Sequence, residues 1–371
     1  MKYLIVTDTH IGASGNNSNI MSRQEVMWKK LFEIAKERDI KYILHGGDLM
    51  DNRTSIGVKS LIHIQEHLYK PLLNNPDIEF HIILGNHDIL YRNTLEYNSV
   101  EPLLGGLDNV FIYTRPSVLN NEILMLNWIC PNDTQEYLQI IKNSNVPYLL
   151  GHLELNGFNV SRNSVHNGGL DMSVFKKFKR VLSGHFHRHS VKGNVTYLGT
   201  PVSLSMSEND TKHGFHILDT ETDELEFINF DEGYIHHHIE FNEDEDYDMS
   251  SLPNSENGFV RIAYMKEVSN SPKLQDMIRY YEERNNKVSL ITDRYFNTDD
   301  LVSEGALVIA TSKEYNNTVR ILTDVIWNIK DLYDEFKDDL LVKNNIQLDT
   351  LTSEHINNIL DTAQHKLLKE I

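Results

Sequence analysis

Five short clusters of oxygen-bearing and imidazole side chains punctuate the first 187 residues. They are Asp8-x-His10, Gly47-Asp48-x-x-Asp51, Gly85-Asn86-His87-Asp88, Gly151-His152 and Gly184-His185-x-His187. Residues two apart at a strand end point the same way, so both members of the D-x-H and H-x-H pairs can reach one ion. In the third cluster Asn86 offers a neutral oxygen, His87 is either a ligand or an acid, and Asp88 can hold an imidazole in one orientation. Carboxylate, amide and imidazole donors without a thiolate suit Mn²⁺ or Fe²⁺, with Mg²⁺ and Zn²⁺ possible. Asp48 is placed between the groups to bridge two ions. Such a pair, about 4 Å apart, would grip a phosphodiester and activate water for in-line attack. Ligation needs neutral histidine, so activity is expected to fall in mild acid. A lone D-x-H or G-H is an ordinary strand-end turn; the weight lies in five of them recurring in order.

The elements that must position these clusters are legible around them. Lys2–Val6, Ile40–Leu44 and His81–Leu84 read as buried strands, each ending in one cluster. Between them lie two amphipathic helices. The first runs to about Asp39, with Ser22 and Glu25 as its capping box after a mobile Gly12–Asn19 loop; the second covers roughly Ile56–Leu73. This alternation predicts parallel pairing with right-handed crossovers. After residue 105 the strands shorten, with one helix around Thr134–Asn143. The expected fold is α/β: two stacked mixed sheets flanked by helices, the second sheet more antiparallel than the first. An acidic, Pro/Ser-containing stretch, Asn242–Asn257, reads as a domain boundary. Three regions follow: 1–240, a small α+β module over 258–312, and a helical region over 316–371.

The chain has 371 residues, 40% apolar and 24% charged, enough for a sizeable core. No apolar run approaches the roughly 18 residues of a membrane span. Met1-Lys2-Tyr3 runs straight into a strand, which predicts no signal peptide. The single Cys130 forms no intrachain disulfide, and both features suit the cytoplasm. A net charge of −19 argues against broad nonspecific nucleic-acid binding.

The five clusters together resemble the calcineurin-like metallophosphoesterases, in the DNA-repair nuclease branch typified by bacterial SbcD and the bacteriophage recombination endonucleases. Gly199–Glu208 (GTPVSLSMSE) and His213–Thr220 (HGFHILDT) resemble the end of that branch's catalytic domain. The resemblance implies two Mn²⁺, with Asp8, His10 and His187 on one, Asn86, His152 and His185 on the other, and Asp48 bridging. It implies that His87 is the acid for the leaving 3′-oxygen and that Asp88 orients it. It implies 3′→5′ exonuclease and single-strand endonuclease activity on DNA, and an SMC-like coiled-coil ATPase as partner. In that scheme 258–312 caps the DNA, 316–371 docks on the ATPase, and helices near 24–37 or 56–73 pair the chain as a homodimer. Some members of the superfamily carry histidine three residues after the bridging carboxylate; this chain has Asp51.

Two other functions compete. A phosphomonoesterase or protein phosphatase of the same superfamily would favour GNHE and an arginine directly after Asp51, where this chain has Asp88 and Asn52. A non-catalytic scaffold for the ATPase would tolerate loss of ligands, which are all present. Elsewhere, His236-His237-His238 reads as exposed strand and His45 as a core imidazole. His189 lies near the clusters with nothing to fix it there. Lys176, Lys177, Lys179 and Arg180 read as a solvated helix end, and Arg53, Arg92 and Arg162 as loop cations able to meet DNA.

Overall fold

A computed structural model describes residues 1–161, 164–253 and 256–292. The expected strand 306–311 and the helices after residue 316 lie outside the described residues. Six strands precede the fourth cluster: β1 Lys2–Val6, β2 Tyr42–His45, β3 Glu79–Ile83, β4 Val110–Tyr113, β5 Ser117–Leu119 and β6 Ile123–Leu126. Then come β7 Tyr148–His152, the small pair β8 Asn159–Ser161 and β9 Ser164–Val165, and β10 Arg180–Gly184. β11 Ser190–Lys192, β12 Val195–Tyr197, β13 Gly214–Asp219 and β14 Glu224–Asn229 complete the two large sheets. The first sheet has the order β14-β13-β1-β2-β3-β4 and the second β11-β12-β10-β7-β6-β5.

The alternation along β1 explains the stacking. Leu4 and Val6 join the core under the helices, whereas Tyr3 and Ile5 join a second core shared with Leu150 and Leu182 of the opposite sheet. A strand buried on both faces reads as an unbroken apolar run, as KYLIV does. Met27, Trp28 and Leu31 of helix α1 (Ser18–Glu37) cover the first sheet. A helical stretch at 58–73, α2, joins them through Ile64, Leu68 and Leu72. Tyr137 and Ile141 of α3 (Thr134–Asn143) cover the second sheet. Four layers result.

Three expectations are corrected. The second sheet is no more antiparallel than the first: each has three parallel and two antiparallel pairings. Helix α1 begins at Ser18, because the Asn17 side chain accepts from the N–H of Asn19 and Ile20; Ser22 and Glu25 lie inside it. The supposed mobile loop before it packs Ala13 into the core.

A third, parallel sheet comprises β15 (His236–Phe241), β16 (Phe259–Tyr264) and β17 (Lys287–Thr292), covered by helix α4 (Pro272–Glu282). The chain therefore enters this module at His236. The acidic stretch between β15 and β16 packs Tyr247, Met249 and Leu252 onto the module's core. The histidine triplet is strand, but not exposed: His236 is buried, stacked on Phe259, with Nδ1 3.0 Å from Ser203 Oγ.

Candidate metal centre

All five clusters emerge at the carboxyl ends of parallel strands: β1, β2 and β3 in one sheet, β7 and β10 in the other. That edge is where open α/β sheets present chemistry. The loops lock onto one another by backbone pairing, with Asp8 N–H donating to Gly47 O (3.0 Å) and His10 N–H to Asp48 O (3.0 Å). Gln24, reaching from α1, donates to the carbonyls of Thr9 and His10. Two glycines make the close approach possible. A Cβ on Gly85 would lie 2.2 Å from Asp48 Oδ1, and one on Gly184 2.2 Å from Thr7 Oγ1. Asp8, His10, Asp48 and His185 all sit at positive φ (51°, 43°, 55° and 88°), strained backbone that surrounding contacts must hold.

The side chains converge in three overlapping groups: Asp8, His10 and His187; His10, Asp48 and His87; and Asp48, His152 and His185. Asp48 Oδ2 is 3.5 Å from His10 Nε2 and 3.2 Å from His152 Nε2, between two of the groups. Asn86 Oδ1 lies 3.0 Å from His152 Nε2 and 2.9 Å from His185 Nδ1. His10 and His187 face each other, Nε2 to Nε2, at 3.1 Å. The far side of two of these rings fixes the tautomer. His152 Nδ1 is 2.8 Å from the Gly46 carbonyl, and His187 Nδ1 is 3.0 Å from Glu208 Oε1. Both partners only accept, so in the neutral rings Nε2 carries the lone pair: that of His152 faces the Asp48 and Asn86 oxygens, and that of His187 faces His10 Nε2. Only a cation or a proton satisfies that arrangement, and the donor set fits divalent metal.

Electrostatics say the same for the metal-free protein. Burial opposes charge on His152, yet the Asp48 carboxylate raises it to about 9. Burial likewise opposes charge on His187, and Glu208 raises it to about 9. Burial resists ionisation of Asp48, but His152, His10 and His87 hold it well below the carboxylate range.

Asp88 is placed differently from its expected role. Its Oδ1 accepts from Leu49 and Met50 N–H (2.9 and 3.2 Å), and its Oδ2 from Asp48 and Gly85 N–H (2.7 and 2.9 Å). It pins the Asp48 loop to β3, not the His87 ring. His87 Nδ1 instead meets the Asp51 carbonyl at 2.6 Å, and His87 N–H donates to Asp48 Oδ1 at 2.7 Å. The Asp51 carboxylate lies 3.4 Å from His10 Nδ1, behind that ring.

The calcineurin-like phosphoesterase model matches residues 1–189 of the 371, the span that holds every cluster. The chain belongs to that family. A protein named exonuclease subunit 1, from Enterobacteria phage T4, is 34% identical over 231 residues, 62% of this chain and 67% of that relative. The SbcD component of the nuclease SbcCD from Staphylococcus epidermidis is 25% identical over 260 residues, 61% of this chain and 67% of its own. A solved archaeal phosphodiesterase of 14% identity covers 62% of this chain and 100% of its own with a TM-score of 0.33, a likeness that carries no weight.

Against this family background His45 and His189 are structural. His45 is buried, with Nε2 3.1 Å from Thr9 Oγ1, and burial pushes it down to about 3. His189 stacks on His216 and Phe227, away from the clusters' shared space. Sequence reasoning missed Glu208, which is 4% exposed and bonded to Thr200 Oγ1, Leu204 N–H and His187. It also missed Trp128, whose ring lies 5.0 Å from His185. Neither stands in a glycine-turn cluster. Among the described residues no helix is long and apolar enough to cross a membrane.

Proposed function

We propose that this chain is a nuclease hydrolysing DNA phosphodiesters, 3′→5′ from an end and internally in single strands. Its partner would be an SMC-like coiled-coil ATPase in a recombination and repair complex. The observation that carries the reading is the convergence of Asp8, His10, Asp48, Asn86, His152, His185 and His187 on shared points, where oxygens and ring nitrogens meet as acceptors. The relatives named exonuclease and nuclease subunits supply the substrate class.

In this reading Asp8, His10 and His187 hold one ion and Asn86, His152 and His185 the other, with Asp48 shared. Two Mn²⁺ are the expected pair, with Mg²⁺, Fe²⁺ or Zn²⁺ as alternatives. When bound, the pair supplies charge neutralisation at the phosphate and acidifies a water. The chain's own part is orientation and proton handling. The Asp51 carbonyl fixes Nδ1 of His87, leaving Nε2 to hold a proton for the departing 3′-oxygen. Burial favours the neutral ring, and the negative phosphate beside it favours the charged one. Asp88 holds Asp48 in place through the backbone.

We further propose that 258–312 guides DNA, that 316–371 binds the ATPase, and that the chain pairs as a homodimer in the cytoplasm. The deciding experiment combines metal analysis with digestion of 5′- and 3′-labelled single-stranded DNA in Mn²⁺, alongside p-nitrophenyl phosphate. Two ions per chain and cleavage of DNA well above the monoester are expected. Turnover of the monoester alone would replace the nuclease reading with a phosphatase.

A further inference from the structure

A cavity of about 380 Å³ opens beside the metal centre, with His152 in its lining. Trp128, Ile129, Pro131 and Leu170 form its apolar wall, Thr134, Gly169 and Glu154 complete the lining with Arg92 as the cation, and the Glu154 carboxylate is engaged by His166 Nε2 at 3.0 Å. That volume lies in the range of small-molecule sites, which combine apolar walls with a few polar groups. The Trp128 ring spans the two features, lying 5.0 Å from His185 and 6.1 Å from His152 while lining the cavity. The hairpin that supplies Arg92 follows directly on Asp88 and is closed by Leu90 N–H donating to Tyr97 O. It leaves Tyr91 and Tyr97 about half exposed, ring to ring at 5.8 Å.

We infer that this cavity receives the nucleobase next to the scissile phosphate, with Trp128 as its stacking surface. The inference rests on the nuclease reading above and adds where the strand lies. The argument is one of continuity. A phosphodiester seated on the ions carries a nucleoside on each side, and the apolar cavity sharing His152 with the ions is where one of the two bases can leave water. Every base has an aromatic face, so such a site favours an unpaired base without choosing a sequence, and Arg92 adds a cation for the backbone or the ring. A paired base cannot enter, which makes the cavity a selector for single-stranded or frayed ends.

The test uses the full chain with Mn²⁺ and 5′-labelled or internally labelled oligothymidylates carrying a single abasic residue at varied positions. Loss of one stacked base should slow one step of the digestion ladder by roughly tenfold, at a fixed offset from the lesion. Trp128→Ala should slow every step and erase the pause, with two Mn²⁺ still bound. Thr134→Trp, which fills the cavity from another side, should do the same and decides the matter if Trp128→Ala does not fold. With Ca²⁺ in place of Mn²⁺ to seat the phosphate, oligothymidylate should quench the part of the indole emission that Trp128→Phe removes. A wild-type ladder without a pause, a pause that survives both variants, or no quench overturns this inference while DNA cleavage leaves the nuclease reading standing. Turnover of p-nitrophenyl phosphate with no cleavage of any oligonucleotide overturns both.

Discussion

Glu208 Oε1 stands 3.0 Å behind His187 Nδ1, and its other oxygen accepts from Leu204 N–H at 2.8 Å and Thr200 Oγ1 at 3.2 Å. Burial alone would raise this carboxyl, but His187 draws it down to about 2, so it is ionised at any working pH. It is a positioning residue: it sets the His187 tautomer and makes Nε2 a better donor to a cation. Glu208→Gln should weaken Mn²⁺ binding by about tenfold, and Glu208→Leu, which strands the Nδ1–H, by up to about a hundredfold. Calorimetric titration with Mn²⁺ measures both. Unchanged affinity in the leucine variant would reduce Glu208 to a packing role.

His87 belongs to a different class of prediction because its ring touches Asp51 and the Asp48 neighbourhood. His87→Ala should lower DNA cleavage by about 10²–10⁴-fold while two metal ions remain bound. Elemental analysis after gel filtration reads the second half of that statement. Loss of one ion would move His87 from proton donor to ligand.

Asp88 accepts four backbone N–H groups, which an amide cannot do with one oxygen and an NH₂ that would face donors. Burial and the Asp48 charge push its pKa up to about 7, against those N–H groups. Asp88→Asn should cost on the order of 3 kcal/mol in urea unfolding and loosen the Asp48 loop. An unperturbed midpoint would mean the loop is held elsewhere.

Away from the centre, His216 is buried with Nε2 lacking a hydrogen-bond partner, and burial lowers its pKa to about 3, with His189 and Lys212 adding to the effect. The unfolded state, with an ordinary imidazole, binds the proton first. Stability is therefore lost as pH falls from about 6.5 towards 3, and regained above. Between pH 7.5 and 5.0 this one residue should account for about 2 kcal/mol. In His216→Phe the difference in unfolding free energy between those pH values should shrink by about that amount. A wild-type pH dependence retained in full would place the titration on another group.

How much of this was written in the sequence differs by scale. The clusters were legible because polar residues recur in order at the ends of five apolar runs, and in the structure those five ends are the carboxyl ends of parallel strands. The direction of a carboxylate was not: Asp88 adjoins His87 in the chain, yet its side chain turns back to the backbone of the Asp48 loop, and spacing does not encode that. Glu208 escaped because its partner is 21 residues away, across β11 and β12. The parallel pairing of β7 with β10 was hidden because, among the described residues, no α-helix connects them; β8, β9 and a short turn do that work. Ser22 and Glu25 have the right spacing for a cap, but Asn17 comes first and satisfies the orphan N–H groups.

The junction at His236 has a practical consequence for anyone cutting this chain into parts. β15 leaves the catalytic sandwich and becomes the outer strand of the three-stranded sheet, without an intervening tether. A fragment begun at the acidic stretch would strip that strand and bare the flank of β16, a row of open N–H and C=O groups inviting adhesion between copies. A piece begun at Ile235 keeps the flank covered, while uncovering Ile235 and Phe259, which pack into the core of the first sheet.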